Sequence, residues 1–434
     1  MKPSDIDPRL PVMQNIDLKD KIVLVRVDHN VVKKGKIKDP YRIDATIGTL
    51  FNIIDKGGRP ILMTHVGRPR DKKTGQINID AGTSVKPVVH YLERKLHIKI
   101  AVPDIPASGD QGIAVLGKPV QAAIDDLKNG RVSAIYLPNT RWFQGEEKKG
   151  DAREEFARQL SEVADVYIND AFGSWQPHAS TFDINNHLPG YAGLLMQKEI
   201  VSLKKVMDPE RPFVGIVAGS KYDTKIGPVS SLYKKADHLI LGGVIYNTYL
   251  CAKYGINVKG VEASDISLAK ELVALDKDRG KIVELPFVVE SDMLDQRIEG
   301  NYRKLDTRKF KKGDTFSYFL DIDPSSFDLP EIRDILLSAR TIFLNAVMGF
   351  TPNFHEGSEA FYRLICENKT ATKLFGGGDT LQEFKVLNPG LYLKALDDES
   401  FYFFTGGGAV LKAIEEGTPY GLDGVKALLD NKKS

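Results

Sequence analysis

The feature that most constrains the fold is a repeated alternation of short apolar segments with longer amphipathic ones. Early in the chain, Ile22–Val27 and Pro60–Thr64 have the length and composition of buried strands, whereas Ser84–Leu96 and Ala152–Val163 have helical spacing of apolar residues. Strands separated by helices of this length are typical of βαβ units, whose strands run parallel. The sequence therefore predicts an α/β fold built on a parallel sheet.

The alternation is interrupted once and then starts again. Pro189–Leu203 combines a Pro/Gly-bounded entry with a helix-like run, which predicts a rigid connector between domains. A second series of strands and helices begins at Phe213. Since 434 residues are too many for one core, we predict two domains, with three as the alternative. Residues 290–330 are charged and weakly patterned, and they indicate no more than an excursion of strands within the second domain.

Charge and cysteine content exclude several classes of protein. Lys and Arg total 60 and Asp and Glu total 58, a net charge of +2, which argues against a nucleic-acid scaffold. Cys251 and Cys366 lie in apolar segments without metal-ligand spacing, so we predict buried thiols in a reducing compartment. We find no signal-peptide core and no apolar run of the ~18 residues that span a bilayer. These features predict a cytoplasmic globular protein without a nucleic-acid or membrane partner.

Two glycine triplets, Gly376–Gly378 and Gly406–Gly408, each follow a short apolar or aromatic run and precede residues that can open a helix. Glycine lets the backbone approach a ligand closely, and a helix N-terminus offers free N–H groups to phosphate. Asp379 adds a carboxylate where a phosphate-bound Mg²⁺ could use it. One triplet alone is as consistent with a tight turn, but two in one domain favour a nucleotide site.

Polar side chains follow the predicted strands of the first series. The carboxyl ends of parallel strands meet at one edge of the sheet, where ligands collect. Arginine suits a carboxylate or phosphate at such an edge because its planar fork binds bidentately. Each arginine alone could pair with a neighbouring acid, but together these residues predict a small basic pocket. They are Asp28, Asn30, Arg42, His65, Arg68 and Arg141, followed by Asn169 and Asp170.

Lysines mark the corresponding place in the second series. Lys221 and Lys225 follow the strand that begins at Phe213, next to Gly219. Two lysines four residues apart are ordinary surface residues in most proteins, but at a glycine-containing strand end they would meet phosphate oxygens. The chain has neither a G-x-x-x-x-G-K-[ST] nor a G-x-G-x-x-G motif.

The order of these motifs resembles that of the phosphoglycerate kinase family. In the first half, R-V-D-x-N is followed by R-I, H-x-G-R-P, N-x-R-(F/W), N-D-A-F-G and M-x-K-E-I-x-x-L. In the second half, G-x-K-x-x-x-K-I is followed by L-I-x-G-G, N-x-x-M-G, G-G-G-D-T and T-G-G-G-A. The match extends from about Lys21 to Leu428. The resemblance implies two doubly wound, Rossmann-like parallel-sheet domains joined by a hinge.

The resemblance also implies which part of the chain binds which substrate. Residues 1–190, with residues 415–434 returning to them, would bind 3-phosphoglycerate, residues 191–205 would form the hinge helix, and residues 206–414 would bind Mg-ATP. The implied reaction is reversible phosphoryl transfer between ATP and the carboxylate of 3-phosphoglycerate, giving ADP and 1,3-bisphosphoglycerate. This is a step of glycolysis and gluconeogenesis, and the implied enzyme is a cytoplasmic monomer.

Roles for individual residues follow from their positions in the motifs. Arg42 and Lys225, with the N–H groups of Gly407 and Gly408, would stabilise the transferring phosphoryl group, and Asp379 would hold Mg²⁺. The acid-substrate set implied by the resemblance is Asp28, Asn30, Arg42, His65, Arg68 and Arg141. The implied nucleotide set is Gly219, Lys221, Lys225, Gly242, Gly243, Asn345, Gly378, Asp379, Thr380 and Gly406.

The chain departs from the family pattern at several motifs. The family's T-A-H-R-A-H is S-W-Q-P-H-A here, so an arginine expected on the substrate phosphate is replaced by Pro177 or lost to a gap. Pro352 stands where a glutamate on the ribose is expected, and His29, Pro138 and Phe404 are further departures. Three hypotheses stay open: a working phosphoglycerate kinase, a kinase of the same fold acting on another carboxylate, and a nucleotide-binding regulatory protein without turnover.

Overall fold

The computed structural model describes residues 5–220, 222 and 225–433. The chain divides into two compact units: unit 1 is Met1–Val201 with Pro419–Ser434, and unit 2 is Ser202–Thr418. Helix Leu194–Met207 contains the boundary between them. Among the described residues, no helix combines the length and the apolar character needed to cross a membrane.

A six-stranded parallel sheet forms the centre of unit 1. In spatial order its strands are Ile100–Ala101, Ala134–Tyr136, Arg59–Met63, Ile22–Arg26, Val166–Asn169 and Gly190–Ala192. The next three strands of the sheet in sequence lie on one side of Ile22–Arg26, and the last two lie on its other side, so the sheet is doubly wound. In sheets of this kind ligands bind where the winding reverses, beyond the carboxyl ends of the strands. That place is at the ends of Ile22–Arg26 and Val166–Asn169.

Helices of unit 1 bury their apolar side chains against this sheet. In helix Lys86–Leu96, for example, Val88, Val89 and Leu92 belong to the same buried cluster as Val23. The helices of this unit are Tyr41–Ala45, Ile47–Asp55, Lys86–Leu96, Gly117–Lys128, Asp151–Ser161, the first part of Leu194–Met207, and Asp423–Leu429.

A second six-stranded parallel sheet forms the centre of unit 2. In spatial order its strands are Ile282–Val283, His238–Gly242, Phe213–Gly219, Thr341–Asn345, Thr372–Gly376 and Phe401–Phe404. Its helices after the boundary are Ile226–Lys235, Gly243–Tyr254, Ala263–Asp276, Pro330–Ser338, Glu356–Glu367, Gly378–Leu387, Pro389–Leu396 and Gly407–Glu416. The winding reverses between Phe213–Gly219 and Thr341–Asn345. The predicted α/β class with two doubly wound, Rossmann-like parallel sheets is confirmed.

The weakly patterned segment of unit 2 contains a small antiparallel sheet. Its central strand, Phe287–Ser291, pairs with Tyr302–Asp306 on one side and Tyr318–Ile322 on the other. Strand Tyr302–Asp306 has no buried residue, which explains why its sequence lacks the apolar alternation of the core strands.

Candidate functional site

The strand ends of unit 1 bring the predicted basic side chains together around one imidazole. Burial lowers the pKa of His65 well below its usual value, and electrostatic repulsion by Arg26, Arg141, His178 and Arg42 lowers it further. All four groups therefore lie within electrostatic reach of His65. Unit 1 has a cluster of cations at the place where its sheet reverses, with a neutral histidine among them.

Two further predicted residues frame this cluster. Asp28 is buried, and its Oδ2 lies 3.4 Å from Nη1 of Arg42. The side-chain oxygen of Asn30 accepts a hydrogen bond from the backbone N–H of Gly67 at 2.9 Å. Asp28 thus holds Arg42, and Asn30 fixes the loop that follows His65.

Arg141 and Arg68 supply the outer part of the cluster. Nη1 of Arg141 donates to the carbonyl of Gly67 at 2.6 Å, and its Nε lies 2.8 Å from Oε1 of Glu147. Burial lowers the pKa of Arg141, Glu147 and Glu146 oppose this change, and the charge of Arg68 adds to it, so the two guanidinium groups lie within electrostatic reach of each other. Arg68 is exposed and has no hydrogen bond or ion pair with another described residue. It is therefore available to an anion.

A fully buried cation, Arg26, was not among the predicted site residues. Its Nε donates to Oγ of Ser180 at 2.8 Å, its Nη1 donates to the carbonyl of Val27 at 2.5 Å, and its Nη2 lies 3.1 Å from Nδ1 of His65. Nη2 also lies 3.9 Å from a carboxylate oxygen of buried Glu146. The signal was an arginine at the end of an otherwise apolar strand, because charged side chains are almost never fully buried unless they are paired.

The loop that departs from the family pattern is held in place by backbone contacts. The carbonyl of Pro177 accepts a hydrogen bond from Nη1 of Arg153 at 2.9 Å, and Arg153 also pairs with Asp183 at 2.8 Å. Burial lowers the pKa of the next residue, His178, while Glu146 opposes this effect. The loop therefore contributes His178 to the cluster, whereas the arginine that the family pattern predicts is replaced by Pro177 or lost to a gap.

The other histidine among the departures, His29, is part of the core. Its Nδ1 lies 2.9 Å from the Tyr136 hydroxyl and its Nε2 2.9 Å from Oγ1 of Thr46. Burial lowers the pKa of His29 to about 3. It is a neutral histidine with both ring nitrogens satisfied.

In unit 2, Lys225 lies at the place where the sheet reverses. Its Nζ donates to the carbonyl of Ala218 at 2.7 Å and to Oδ1 of Asn345 at 2.8 Å. Burial lowers the pKa of Lys225 to about 8, although the negative charge of Asp379 opposes the change. A β-carbon on Gly219 would lie 3.2 Å from Nζ, so the glycine gives the lysine room. The other predicted lysine, Lys221, lies outside the described residues.

The two glycine triplets touch each other at this edge. A β-carbon on Gly407 would lie 2.5 Å from the α-carbon of Gly377, which has a φ of +110°. The side-chain amide of Asn345 donates to the carbonyl of Gly376 at 2.7 Å. Asn345 therefore joins both the first triplet and Lys225, and the close approach of the triplets requires glycine.

Two helices begin in these triplets. Helix Gly378–Leu387 starts with Gly378, Asp379 and Thr380, and helix Gly407–Glu416 starts with Gly407 and Gly408, with Gly406 before it. Oγ1 of Thr380 accepts the backbone N–H of Ala346 at 3.1 Å, which ties the first helix to the end of the neighbouring strand. Both helix N-termini therefore lie near Lys225, where their free N–H groups favour an anion.

The end of strand His238–Gly242 also lies close to the end of its neighbour, strand Phe213–Gly219. Gly243 has a φ of +58°, and a β-carbon there would lie 3.0 Å from the carbonyl oxygen of Gly219. A β-carbon on Gly242 would lie 2.4 Å from the sulfur of Met348. The structure thus brings Gly219, Gly242, Gly243, Asn345 and the triplets to one edge of unit 2.

A metal at this edge would depend on Asp379. Within the part of the chain that the structure describes, no group of three or more His, Cys, Asp or Glu is placed to hold a metal ion. Asp379 is exposed in the first turn of its helix, within electrostatic reach of Lys225. One carboxylate fits Mg²⁺ that arrives with phosphate oxygens and keeps several waters.

The comparison with protein families decides what these two clusters belong to. The profile of the phosphoglycerate kinase family matches residues 13–417. The chain belongs to the phosphoglycerate kinase family. Its members are ATP-using kinases that transfer phosphate to the carboxylate of 3-phosphoglycerate, so the predicted family and the predicted class of phosphotransferase are confirmed.

Individual relatives agree along almost the whole chain. The phosphoglycerate kinase of Dictyoglomus turgidum is 34% identical over 412 residues, which cover 93% of this chain and 95% of that protein. The structure of phosphoglycerate kinase from Coxiella burnetii is 26% identical, covers 96% of this chain and 98% of that chain, and has a TM-score of 0.72. The Pyrococcus horikoshii structure, 22% identical over 98% of this chain and 100% of that chain with a TM-score of 0.73, supports the fold alone.

Proposed function

We propose that this chain catalyses reversible phosphoryl transfer between ATP and the carboxylate of 3-phosphoglycerate. The observation that carries the proposal is the convergence, at one edge of unit 2, of Lys225 with two touching glycine turns and the helices that begin in them. Such an edge suits a chain of phosphates. The phosphates would take hydrogen bonds from free backbone N–H groups, and the lysine would supply the positive charge.

In this proposal unit 2 binds the nucleotide. Lys225 and the backbone N–H groups of Gly407 and Gly408 would stabilise charge on the transferring phosphoryl group, since this chemistry needs positioning and electrostatics more than covalent help. Asp379 would hold the Mg²⁺ that accompanies ATP or ADP. The predicted nucleotide roles of Thr380 and Gly406 rest on the same edge.

Unit 1 would bind the acid substrate. 3-Phosphoglycerate carries a phosphate and a carboxylate, and arginine forks suit both groups. Arg68 and Arg141 would bind such an anion, His65 would donate a hydrogen bond, and Asn30 would contact a hydroxyl. Arg42, held by Asp28, stays the predicted catalytic residue of this unit.

A steady-state assay tests the proposal. ATP and 3-phosphoglycerate, with Mg²⁺ and a coupled reaction that consumes 1,3-bisphosphoglycerate, should support turnover that disappears when either substrate is omitted. ATP consumption only with another carboxylic acid would replace the acceptor. A rise in melting temperature with ATP, without turnover on any acid, would instead support a nucleotide-binding protein.

One observation favours testing other acids. In the loop of residues 174–179 the expected arginine is replaced by Pro177, whose carbonyl is bound by Arg153, or is lost to a gap, and His178 follows. An altered anion-binding loop would change the acceptor before it changed the nucleotide. A panel of phosphorylated and unphosphorylated carboxylic acids, compared by kcat/KM, separates the two acceptors.

The predicted monomer and cytoplasmic location stay predictions. Size-exclusion chromatography with light scattering would measure the mass in solution, and fractionation of the source cells would locate the chain. A dimer in solution would overturn the first prediction without affecting the proposed chemistry.

A further inference from the structure

The two ring nitrogens of His65 have different surroundings. Nδ1 lies 3.1 Å from Nη2 of Arg26 and 3.4 Å from Oγ of Ser174. Nε2 makes no hydrogen bond with another described residue, and the side chain is partly exposed. One nitrogen is thus occupied inside the protein, and the other is available to a ligand.

The neighbour of Nδ1 can act in one way only. A guanidinium group has five N–H donors and no acceptor, and it does not lose its proton in a protein. At 3.1 Å from Nη2, Nδ1 must therefore offer its lone pair, because a proton on Nδ1 would set two donors against each other in a partly buried place. The single proton of a neutral ring is then on Nε2.

We propose that Arg26 is a positioning residue that fixes His65 as the neutral tautomer with its proton on Nε2, so that His65 meets the acid substrate as a hydrogen-bond donor and not as a cation. This inference rests on the proposed function for its substrate, but the protonation of the ring can be measured without any substrate.

The contacts of Arg26 keep it in this role. Nε donates to Oγ of Ser180 at 2.8 Å, and that hydroxyl must therefore give its own proton to Oε1 of Glu146, 2.6 Å away. The backbone N–H of Ser180 donates to the other oxygen of Glu146 at 3.1 Å. The Nη1 bond to the carbonyl of Val27 holds the remaining side of the fork. Arg26 is held on three sides, so it cannot turn away from His65.

The groups that face His65 keep the ring neutral. They come from four parts of unit 1. Arg26 ends strand Ile22–Arg26 and Arg42 lies on helix Tyr41–Ala45. Arg141 follows strand Ala134–Tyr136, and His178 lies on the loop after strand Val166–Asn169. None of them carries a negative charge. Burial and these positive groups lower the pKa of His65 well below its usual value, which agrees with the tautomer argument.

Nitrogen NMR on the intact protein tests the inference directly. The chain has eight histidines, so His65 is assigned by comparison with a His65→Asn variant. We expect a pyridine-like shift for Nδ1, a pyrrole-like shift for Nε2, and no titration between about pH 6 and 8.5, where an ordinary histidine loses its charge. A proton on Nδ1, or a doubly protonated ring, in this range overturns the inference.

A matched pair of substitutions tests whether His65 donates a hydrogen bond from Nε2 to the acid substrate. The amide of glutamine places its N–H₂ near the position of Nε2, whereas that of asparagine places it near Nδ1. We expect His65→Gln to keep the KM for the acid within about threefold and His65→Asn to raise it about tenfold or more, because only the first keeps the donor. Equal effects, or better binding by His65→Asn, contradict the proposal.

Substitution of Arg26 tests whether this residue sets the tautomer of His65. In Arg26→Met the ring should titrate and lose its single tautomer, whereas Ser174→Ala, which removes the longer contact to Nδ1, should leave the tautomer unchanged. Because Arg26→Met leaves the buried carboxylate of Glu146 without its nearby guanidinium charge, the double variant Arg26→Met/Glu146→Gln removes the negative charge as well. An unchanged single tautomer in the folded double variant would show that Arg26 does not set it.

The proposed substrate and the tautomer of His65 can be refuted independently of each other. If no turnover with 3-phosphoglycerate is seen but the NMR pattern is as expected, the proposed substrate is wrong and the tautomer assignment stands. If turnover is normal and Nδ1 carries the proton, the proposed function stands and this inference is wrong.

Discussion

At the scale of single residues, burial changes the chemistry of Lys225 more than its neighbours do. Its ammonium group is held between two oxygens, but loss of water lowers its pKa to about 8. The lysine is therefore partly neutral just above physiological pH in the free protein. A bound phosphate chain would favour the charged form again, because an opposite charge raises the pKa of a lysine.

This pKa predicts the alkaline limit of activity. The value of kcat/KM for ATP reports ionisations of the free enzyme, so it should fall as pH rises through about 8, where Lys225 loses its charge. Lys225→Met should lower kcat by about 100-fold or more and remove this alkaline limb. Lys234→Met, an exposed lysine on the following helix, is the control and should change neither. An alkaline limb that persists in Lys225→Met would assign it to another group.

Glu383 is a second residue whose environment sets its charge. It is buried, and it accepts hydrogen bonds from Oγ of Ser358 at 3.1 Å and from the Tyr362 hydroxyl at 2.9 Å. Burial raises the pKa of Glu383 to about 7 and that of nearby Asp321 also to about 7. The folded protein therefore binds protons that the unfolded chain has already released.

The sign of the resulting pH dependence follows from linkage. Because the folded state holds the proton of Glu383 up to about pH 7, stability should fall as pH rises from about 4.5 to 7. Glu383→Gln should remove up to about 3 kcal/mol of this loss. Urea unfolding at several pH values measures this change in unfolding free energy, and Glu399→Gln, at an exposed position, is the control. An identical slope in Glu383→Gln would mean that the glutamate ionises as it does in the unfolded chain.

At the scale of elements, the nucleotide edge depends on two turns that touch. Gly407→Ala would place a β-carbon 2.5 Å from the α-carbon of Gly377, so the turns must separate. We expect a loss of stability of about 1–3 kcal/mol and weaker ATP binding. Gly390→Ala, in a helix of the same unit with nothing within 4 Å of the new atom, should be neutral or slightly stabilising. Calorimetric titration with ATP and thermal unfolding compare the two, and equal effects would contradict the contact argument.

The N-terminus of helix Leu194–Met207 is capped by a residue that is distant in sequence. Asp170, predicted at the ligand-binding edge of unit 1, accepts the backbone N–H groups of Leu195 and Met196 on Oδ1 at 2.9 and 3.1 Å. These N–H groups belong to the first turn of helix Leu194–Met207. Asp170 is thus the N-terminal cap of this helix.

A pair of substitutions tests the cap. Asp170→Ala removes the acceptor and should cost about 1–2 kcal/mol of unfolding free energy, whereas Asp170→Asn keeps an oxygen acceptor and should cost less than about half of that. Denaturant unfolding gives both values. If Asp170→Asn instead loses as much unfolding free energy as Asp170→Ala, the negative charge of Asp170, and not the hydrogen bond, stabilises the helix.

At the scale of the whole molecule, the chain returns to unit 1 at its end. Leu422, Val425 and Leu428 are buried there, and the hydroxyl of Tyr420 accepts the backbone N–H of Asp7 at 2.8 Å. The side-chain amide of Asn431 donates to the carbonyl of Leu188 at 2.8 Å. The described residues around Asp7 and those from Tyr420 to Asn431 therefore belong to the folded structure of unit 1.

Truncation measures what this return contributes. Each fully buried apolar side chain contributes about 1.5–3 kcal/mol, so ending the chain at Thr418 should strongly destabilise unit 1. Hydrogen exchange should show faster exchange in strands Ile22–Arg26 and Val166–Asn169, with strand Phe213–Gly219 of unit 2 much less affected. A control that ends at Asn431 loses only three terminal residues and should behave like the full chain. Equal acceleration in both units would show that they unfold together.

Much of the fold was predictable because its signals are local. Core strands such as Ile22–Arg26 are continuous apolar runs, and the helices around them repeat their apolar residues at helical spacing. Strand Gly190–Ala192 was assigned to the connector because three residues beside glycine and proline carry no strand pattern. Strand Tyr302–Asp306 escaped because none of its residues is buried.

By itself, the sequence determined the α/β class, the repetition of two strand–helix series, the glycine turns and the family, since each depends on residues close together in the chain or on motif order. Only the tertiary structure decided that Gly407 touches Gly377, that Lys225 has a lowered pKa, and that buried Arg26 faces His65. The physical reason is that burial and hydrogen-bond partners are supplied by distant segments. A side chain's charge and tautomer are therefore properties of the folded environment and not of the local sequence.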